Sequence, residues 1–245
     1  MDPFAPESEK IYEFLPATVL ANNDEDHKGL LKVELICEGT GRAVLDGVKV
    51  VVPFSGDAYG ICALPEIGEQ VVVGFLNGSF DRPFVLGSLC TVKDRMLSDS
   101  YHETNAYKRI VTAGGNLIEI SDEKGEESIS VKTPKKISMI FSEKDGTAAI
   151  SAGENQVKIS DADGTAEISA KEKILLKTGG SSVTMGSDGG ITVNGENLQW
   201  KASAISAKSS GELTVQGTKT SLSGSMVEIS SQGIMTIKGS ITKIN

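Results

Sequence analysis

Side chains that commonly carry catalysis or bind metals are few in this 245-residue chain. Histidine occurs only at His27 and His102, so the sequence offers no pair of imidazoles at the spacing of a metal site. It contains no Ser/His/Asp constellation, no phosphate-binding glycine loop and no His-Glu-x-x-His motif. We interpret His102 as a hydrogen-bonding group at the surface or between chains rather than as a ligand.

Carboxylates are abundant but poorly spaced for chemistry. They cluster at residues 24–26, 122–127 and 161–164. Calcium uses such oxygens, but none of the three clusters completes a calcium-binding loop. A glycosidase would need a paired acid and base held in a cleft. We therefore predict solvated turn charges, with no catalytic residue, no metal site and no cofactor.

The three cysteines are isolated and form no Cys-x-x-Cys pair. Cys37, Cys62 and Cys90 all lie in the first 90 residues. A disulfide framework would need an even and denser set. The sequence instead predicts small buried hydrophobic side chains in a reducing cytosol.

Charge is distributed unevenly along the chain. The net charge is −9, of which −7 falls on residues 1–117 and −2 on residues 118–245. DNA is an unsuitable partner for the acidic first part, because phosphate binding relies on clustered Lys and Arg. No stretch approaches the ~18 consecutive apolar residues of a membrane span, and the polar residues 1–10 are not typical of a signal peptide.

Short apolar–polar–apolar triplets recur from about Leu117 onwards. Their period of two places both apolar side chains on one face of a strand. Many neighbouring triplets begin 7 to 11 residues apart, separated by Gly, Ser, Asn, Asp and Lys. This repeat predicts a β-solenoid. The triplets begin at Ile118, Ile129, Ile137, Val157, Val183, Ile191, Leu213, Val227 and Met235.

One chain has too little inward surface per repeat to enclose its own core. Two or three chains wound together would solve this, each supplying one wall of a narrow prism. A three-fold closed assembly buries every triplet on the axis and leaves no lateral sheet edge. We therefore predict an intertwined homotrimer.

The complete chain is predicted to be all-β, with an N-terminal OB-fold barrel followed by an intertwined trimeric triple-stranded β-helix, or prism. No segment shows a convincing helical period. The barrel is predicted from five short strands separated by Gly, Asn, Asp and Pro turns. The predicted domains are an N-terminal arm at 1–16, the barrel at 17–90, a neck at 91–112 and a β-helical needle at 113–245. The barrel strands are predicted at 17–21, 30–37, 43–53, 70–75 and 84–89.

Residues 63–89 carry a long motif that resembles the barrel of contractile-injection spike proteins. These are the phage baseplate spikes of the assembly-protein-V type and the VgrG proteins of type VI secretion. The junction at residues 112–122 is similar to the entry of the VgrG needle, and residues 237–245 are similar to needle ends that seat a PAAR-repeat tip protein. The motif residues that define the fold are Pro65, Gly68, Phe75, Gly78, Asp81, Pro83 and Gly87.

The motif itself brings no acid, base or nucleophile. Gly78 and residues 81–83 are expected to set a hairpin in which Val71, Val73 and Phe75 pair with residues 84 and 86 across the barrel.

The resemblance implies a structural spike at the tip of a contractile injection apparatus, not an enzyme. The apparatus would be a phage tail, a bacteriocin, an extracellular injection system or a type VI-like machine. The spike would be assembled in the cytoplasm and would enter the target cell envelope on firing. Since only about 16 residues precede the barrel, the hub is expected to be a separate protein docked at the barrel end. A PAAR-type cap is expected on the tip residues, which are Lys238, Ile241, Lys243, Ile244 and Asn245.

Two other functions fit parts of the sequence. One is a β-helical polysaccharide depolymerase, or a tailspike-like enzyme, with an appended binding barrel. Residues 118–245 lack the aromatic stripes that this enzyme would need, and their acid clusters do not supply a paired acid and base in a cleft. The other is an OB-fold nucleic-acid-binding protein, which the acidic balance disfavours.

Overall fold

The computed structural model describes residues 10–23, 25–26, 28–36, 41–92 and 94–243. Across these ranges the chain forms strands β1 to β17, one short α-helix and a 3-10 helical turn at Leu76–Gly78. The prediction of an all-β protein is therefore confirmed. The predictions for His27, Cys37, Ile244 and Asn245 fall outside the described residues.

The first part of the chain is a closed five-stranded barrel in the order β1-β2-β3-β7-β6. Neighbouring strands are antiparallel except β3 and β7, which run parallel. The small antiparallel hairpin of β4 and β5 interrupts the chain between β3 and β6. The seven strands are β1 (Leu15–Ala21), β2 (Leu31–Leu35), β3 (Val44–Val50), β4 (Ser55–Gly56), β5 (Tyr59–Gly60), β6 (Gln70–Phe75) and β7 (Pro83–Ser88).

Alternate residues of the five barrel strands form a single apolar core. The alternation is clearest in β2, where every second side chain is buried. Full burial of a side chain of this size contributes about 1.5–3 kcal/mol, so this core can stabilise the barrel without a partner. The core residues that are at most 1% exposed are Ala17, Val19, Leu31, Val33, Val48, Val71, Val73 and Val85.

Two glycines of the motif occupy backbone positions that disfavour other residues. Gly68 has φ +91°, and its N–H donates to the carbonyl of Val19 at 2.8 Å. Gly78 is buried with φ +73°, and its carbonyl accepts the N–H of Ile11 at 2.9 Å. These two glycines therefore allow chain segments to close over both ends of β6.

The other motif residues shape the segments on either side of β6. The Pro65 carbonyl accepts the side-chain amide of Asn22 at 2.9 Å. Phe75 is 8% exposed and stacks on Phe80, with ring centroids 5.5 Å apart. Asp81 lies in the exposed turn before β7, Pro83 begins β7, and Gly87 lies opposite Val72 within the sheet.

The predicted pairing between β6 and β7 is wrong in detail. Val73 lies opposite Val85, and Phe84 lies opposite Gly74. A register shift between Val72 and Val73 leaves Leu86 outside the regular pairs and 50% exposed. A bulge of this kind bends the strand, which barrel closure requires, and residue spacing alone does not reveal it.

The segment after the barrel contains the helix α1 (Arg95–Ser100). The sequence analysis missed this helix, because six residues are too short to show a helical period. The cysteine prediction is also wrong for two residues. Cys62 and Cys90 are exposed free thiols in segments without strand pairing, so no core surrounds them.

Seven consecutive strands then form one antiparallel sheet in the order β8 to β14. Each strand is joined to the next by a short turn, which makes the sheet a meander. Its strands are β8 (Tyr107–Val111), β9 (Leu117–Ser121), β10 (Ser128–Lys132), β11 (Ile137–Ser142), β12 (Thr147–Ala152), β13 (Asn155–Ser160) and β14 (Thr165–Ser169).

A second sheet continues the repeat with β15 (Lys173–Thr178), β16 (Ser181–Gly186) and β17 (Ile191–Asn194). Residues 195–243 belong to a separate compact unit. The triplets that begin at Leu213, Val227 and Met235 lie in that unit. They form no strand there, since no neighbouring segment of the described chain pairs with them. Within the described ranges, no helix has the length and apolar composition that crossing a membrane requires.

We predict that Gly78→Ala destabilises the barrel. An added Cβ would lie 2.9 Å from the Lys10 Cβ. The alanine would also have to keep the positive φ of the glycine, which L-residues rarely adopt. The expected cost is about 1–2 kcal/mol. Amide hydrogen exchange of peptides from β6 and β7 should become faster by the corresponding factor.

Gly87→Ala is the matched control, because an added Cβ at Gly87 meets no atom within 4 Å. Equal exchange rates in the Gly78 variant and the control would contradict the assigned role of Gly78.

Candidate assembly surface

One face of the β8–β14 sheet is apolar along its whole length. Cross-strand partners match apolar residues with one another through the sheet: Ile118 lies opposite Val131, which lies opposite Met139. Met139 in turn lies opposite Ile150. Most of these side chains are strongly exposed, including Ile150 at 56%. We call this surface the apolar face. It comprises Ile110, Ile118, Ile120, Ile129, Val131, Ile137, Met139, Phe141, Ala148, Ile150, Ala152, Val157, Ile159, Ala166 and Ile168.

The opposite face of the same sheet is mainly polar and better covered. Ser121, Ser130 and Ser160 on this face are only 3–6% exposed. The hydroxyl of Ser130 has no hydrogen-bond partner. The usual burial pattern of a two-faced sheet is thus reversed within a single chain, and the apolar face is the one that faces water.

The accessible area of the chain shows the same imbalance. It is 20198 Å² for 25.8 kDa. A compact monomer of this mass exposes about 10,500 Å². The chain therefore exposes about twice the total area of a compact monomer, and the exposed side chains of the apolar face contribute to this excess.

The turns of the meander include an 18-residue repeat that the sequence analysis overlooked. Residues 142–152 and 160–170 are identical at eight of eleven positions. In both copies the first serine hydroxyl hydrogen-bonds to an aspartate carboxylate at 2.8 Å and accepts the N–H of that aspartate at 3.2 Å. Asp163, predicted to be a turn charge, and Asp145, its counterpart in the first copy, therefore stabilise their own turns.

A polar cluster joins β8 to the turn after β9. The Tyr107 hydroxyl donates to the Glu123 carboxylate at 2.8 Å. The Arg109 guanidinium contacts the Glu119 carboxylate and the Asp99 carbonyl, and it lies 4.9 Å from the centre of the Tyr107 ring. This cluster connects helix α1 to the meander.

His102 belongs to the same cluster. Its Nδ1 lies 2.9 Å from the Thr104 hydroxyl, its Nε2 lies 3.6 Å from Glu123 Oε1, and its ring packs edge-on against Tyr107. No group of three potential metal-ligating side chains occurs in the part of the chain that the structure describes.

The described tip residues lie in the second compact unit. Lys238, Ile241 and Lys243 are exposed and lie outside any strand, with Ile241 at 78% exposure.

Residues 15–89 match the family described as "Type VI secretion system/phage-baseplate injector OB domain". These residues coincide with the closed barrel. The chain is also similar to the type VI secretion system spike protein VgrG5 of Pseudomonas aeruginosa, with 32% identity over 116 residues, which is 43% of this chain and 14% of the relative. The similarity to VgrG spike proteins thus covers less than half of this chain.

Two relatives from Vibrio cholerae serotype O1 show similar identity. The type VI secretion system spike protein VgrG3 is 32% identical over 94 residues, which is 36% of this chain and 9% of that protein. The actin cross-linking toxin VgrG1 is 32% identical over 92 residues, which is 36% of this chain and 8% of the toxin. The chain spans between 8% and 14% of the length of these curated relatives. The predicted resemblance to this class is confirmed.

We predict that the pKa of Tyr107 lies above its ordinary value of 10.0, mainly because the hydroxyl donates to Glu123. The neutral phenol is the form that makes this hydrogen bond. Its contribution to stability is therefore present below pH ~10 and is lost as the pH rises through the raised pKa. Ultraviolet difference titration of the wild type minus Tyr107→Phe isolates this residue.

Glu123→Gln removes the negative charge and should lower the Tyr107 pKa toward the ordinary value. If Tyr107 ionises at the ordinary value in the wild type, the hydrogen bond to Glu123 does not form in solution.

Proposed function

We propose that this chain is a structural spike of a contractile injection apparatus and acts as a homotrimer. The observation that carries the proposal is the exposed apolar face, which continues through seven strands behind a barrel of the injector OB type. The role is mechanical. Contraction of a sheath would push the spike forward, and a hydrogen-bonded β-prism would concentrate the force on a small area of the target envelope.

Three copies can cover the apolar face completely. In a closed three-fold arrangement each sheet forms one wall and turns its apolar face toward the axis. Obligate interfaces bury 2,000–5,000 Å² or more, and the accessible area of this chain exceeds the compact-monomer value by an amount sufficient for such an interface. For residues 195–245 we propose that the three chains intertwine into a β-helix. The strand-like triplets of the described part of this segment pair with no other segment of the described chain.

The barrel is proposed to dock on a hub protein. Its core is complete without a partner, so its outer surface is available for binding. Support comes from the match of residues 15–89 to a domain family of secretion and baseplate injectors. The arm at 1–16, the neck at 91–112 and the needle at 113–245 complete the proposed organisation. The apparatus would be assembled in the cytoplasm and would enter the envelope on firing.

A PAAR-type cap is proposed to cover the residues from Lys238 to Asn245. Three copies of this segment would expose Ile241 together with unpaired backbone groups. Such a surface binds readily to another β-structured protein that continues the strands.

We predict that the purified chain is a trimer and that Val193→Asp prevents its assembly. Val193 is paired with Val183 on the apolar side of the three-stranded sheet and is 49% exposed in one chain. Three aspartates near the axis would repel one another and lose hydration, at a cost of at least about 3 kcal/mol of assembly free energy. Light scattering measures the mass of both proteins.

Thr192→Asp, on the opposite side of the same strand, is the matched control and should leave the trimer intact. A folded wild-type species of 25.8 kDa would contradict the proposed trimer. Normal assembly of the Val193 variant would show that this side chain does not face the axis.

We also predict that deleting residues 238–245 leaves the trimer intact but abolishes binding of the PAAR-type protein. The deletion removes the exposed Ile241 and the segment proposed to continue into the cap. Calorimetry with the purified cap protein measures the affinity, and light scattering confirms the oligomeric state. Undiminished affinity of the truncated trimer would place the cap elsewhere.

A further inference from the structure

The turns that connect the strands of the β8–β14 sheet lie along two opposite sides of the sheet, at the ends of the strands. These two sides, called edges below, carry different charge. The turns that join β9 to β10, β11 to β12 and β13 to β14 lie at one edge, which we call the acidic edge. These turns are residues 122–127, 143–146 and 161–164, and they contain eight carboxylates and two lysines. The other turns of the meander lie at the opposite edge.

The opposite edge includes the turn at residues 133–136, where Lys135 and Lys136 are both exposed. Neither lysine makes an ion pair with any residue of the described chain. We call the edge that carries this turn the lysine edge. Farther along it, Lys171 and Glu154 neutralise each other at 2.9 Å. The unpaired positive charge of the lysine edge is therefore concentrated at the turn between β10 and β11.

In the proposed trimer the strands run across each wall, so their turns lie at the corners of the prism. Each corner then brings the acidic edge of one copy to the lysine edge of the next. This contact is heterologous, and three such contacts close a ring. The inference in this subsection rests on the proposed function for the trimer itself.

The turns on the two edges also lie at matching heights along the axis of the proposed prism. Successive turns alternate between the two edges, so each turn on one edge lies one strand spacing, about 4.8 Å, from the nearest turns on the other. The Lys135–Lys136 turn follows β10, while the acidic turns follow β9 and β11. In a ring without axial displacement, the lysine turn of one copy therefore lies between two acidic turns of its neighbour.

Two carboxylates on those turns remain available for pairing. Glu127 and Glu143 have no side-chain partner within the described chain, whereas Glu126 is already joined to Lys144. We propose that Lys135 and Lys136 of each copy bind Glu127 and Glu143 of a second copy of this chain. These contacts fix which edges meet and set the axial register of the three walls. The apolar face alone does not specify either, because hydrophobic burial is not directional.

Charge reversal tests this proposal. K135E/K136E gives a chain with two acidic edges, and E127K/E143K gives a chain with opposed lysines at each corner. At low salt, each variant should need at least about tenfold more protein for half-assembly than the wild type, since three corners change from attraction to repulsion. The quadruple variant restores opposite charges at every corner and should assemble within about threefold of the wild type.

A mixture of the two double variants provides a second measurement. In a ring of three, any mixed trimer has two attractive corners and one repulsive corner, whereas each pure trimer has three repulsive corners. Random association of equal amounts would make about three quarters of the trimers mixed, so native mass spectrometry should show a mixed fraction well above that value. K201E/K208E changes the charge by the same amount outside the sheet and serves as the matched control.

The possible results separate the two hypotheses. A wild-type trimer, together with double variants that assemble like the control, would overturn the edge pairing and leave the trimer standing. A quadruple variant as defective as the double variants would also overturn the pairing. A wild-type monomer would overturn both the edge pairing and the proposed function.

Discussion

A meander of seven strands pairs each strand with its neighbours within one chain but leaves one face of apolar side chains in water. This imbalance is the constraint on which the rest of the molecule depends. The barrel buries eleven apolar residues in a closed core and needs no partner to be stable. The sheet beyond it cannot reach that state alone, since a single layer has no second surface to pack against. The chain is thus divided into a self-sufficient module and a module that requires association.

Much of this organisation could be predicted from the sequence. The triplets that begin at Ile118, Ile129 and Ile137 lie in β9, β10 and β11, because a period of two is a local property of an extended backbone. The barrel could be predicted because its motif places glycine where φ is positive, as at Gly68 and Gly78. Such positions depend on backbone geometry, and they leave a strong signal in the sequence.

Other features could not be read from residue spacing. The bulge between Val72 and Val73 shifts the barrel pairing by one residue, and only the closure of the barrel determines where it lies. Residues 195–243 contain strand-like triplets, yet strand formation there depends on a partner that local sequence does not describe. The sequence shows which turns are charged but not which turns lie together at one edge of the sheet. Because successive turns alternate between the two edges, Glu127 lies at the acidic edge and Lys136 at the lysine edge.

The connection of consecutive strands by short turns also determines the order in which the chain can fold. Contacts between neighbouring hairpins have low contact order, so β8 to β14 can form rapidly as each strand is synthesised. Residues 195–243 have no such local pairing, and in the proposed trimer they would form strands only after the chains meet. Folding would therefore proceed from the barrel outwards, with a fast unimolecular phase followed by a concentration-dependent one. Between the two phases the exposed apolar face is vulnerable to aggregation. The charged turns along the edges of the sheet would help to keep the unassembled chains in solution.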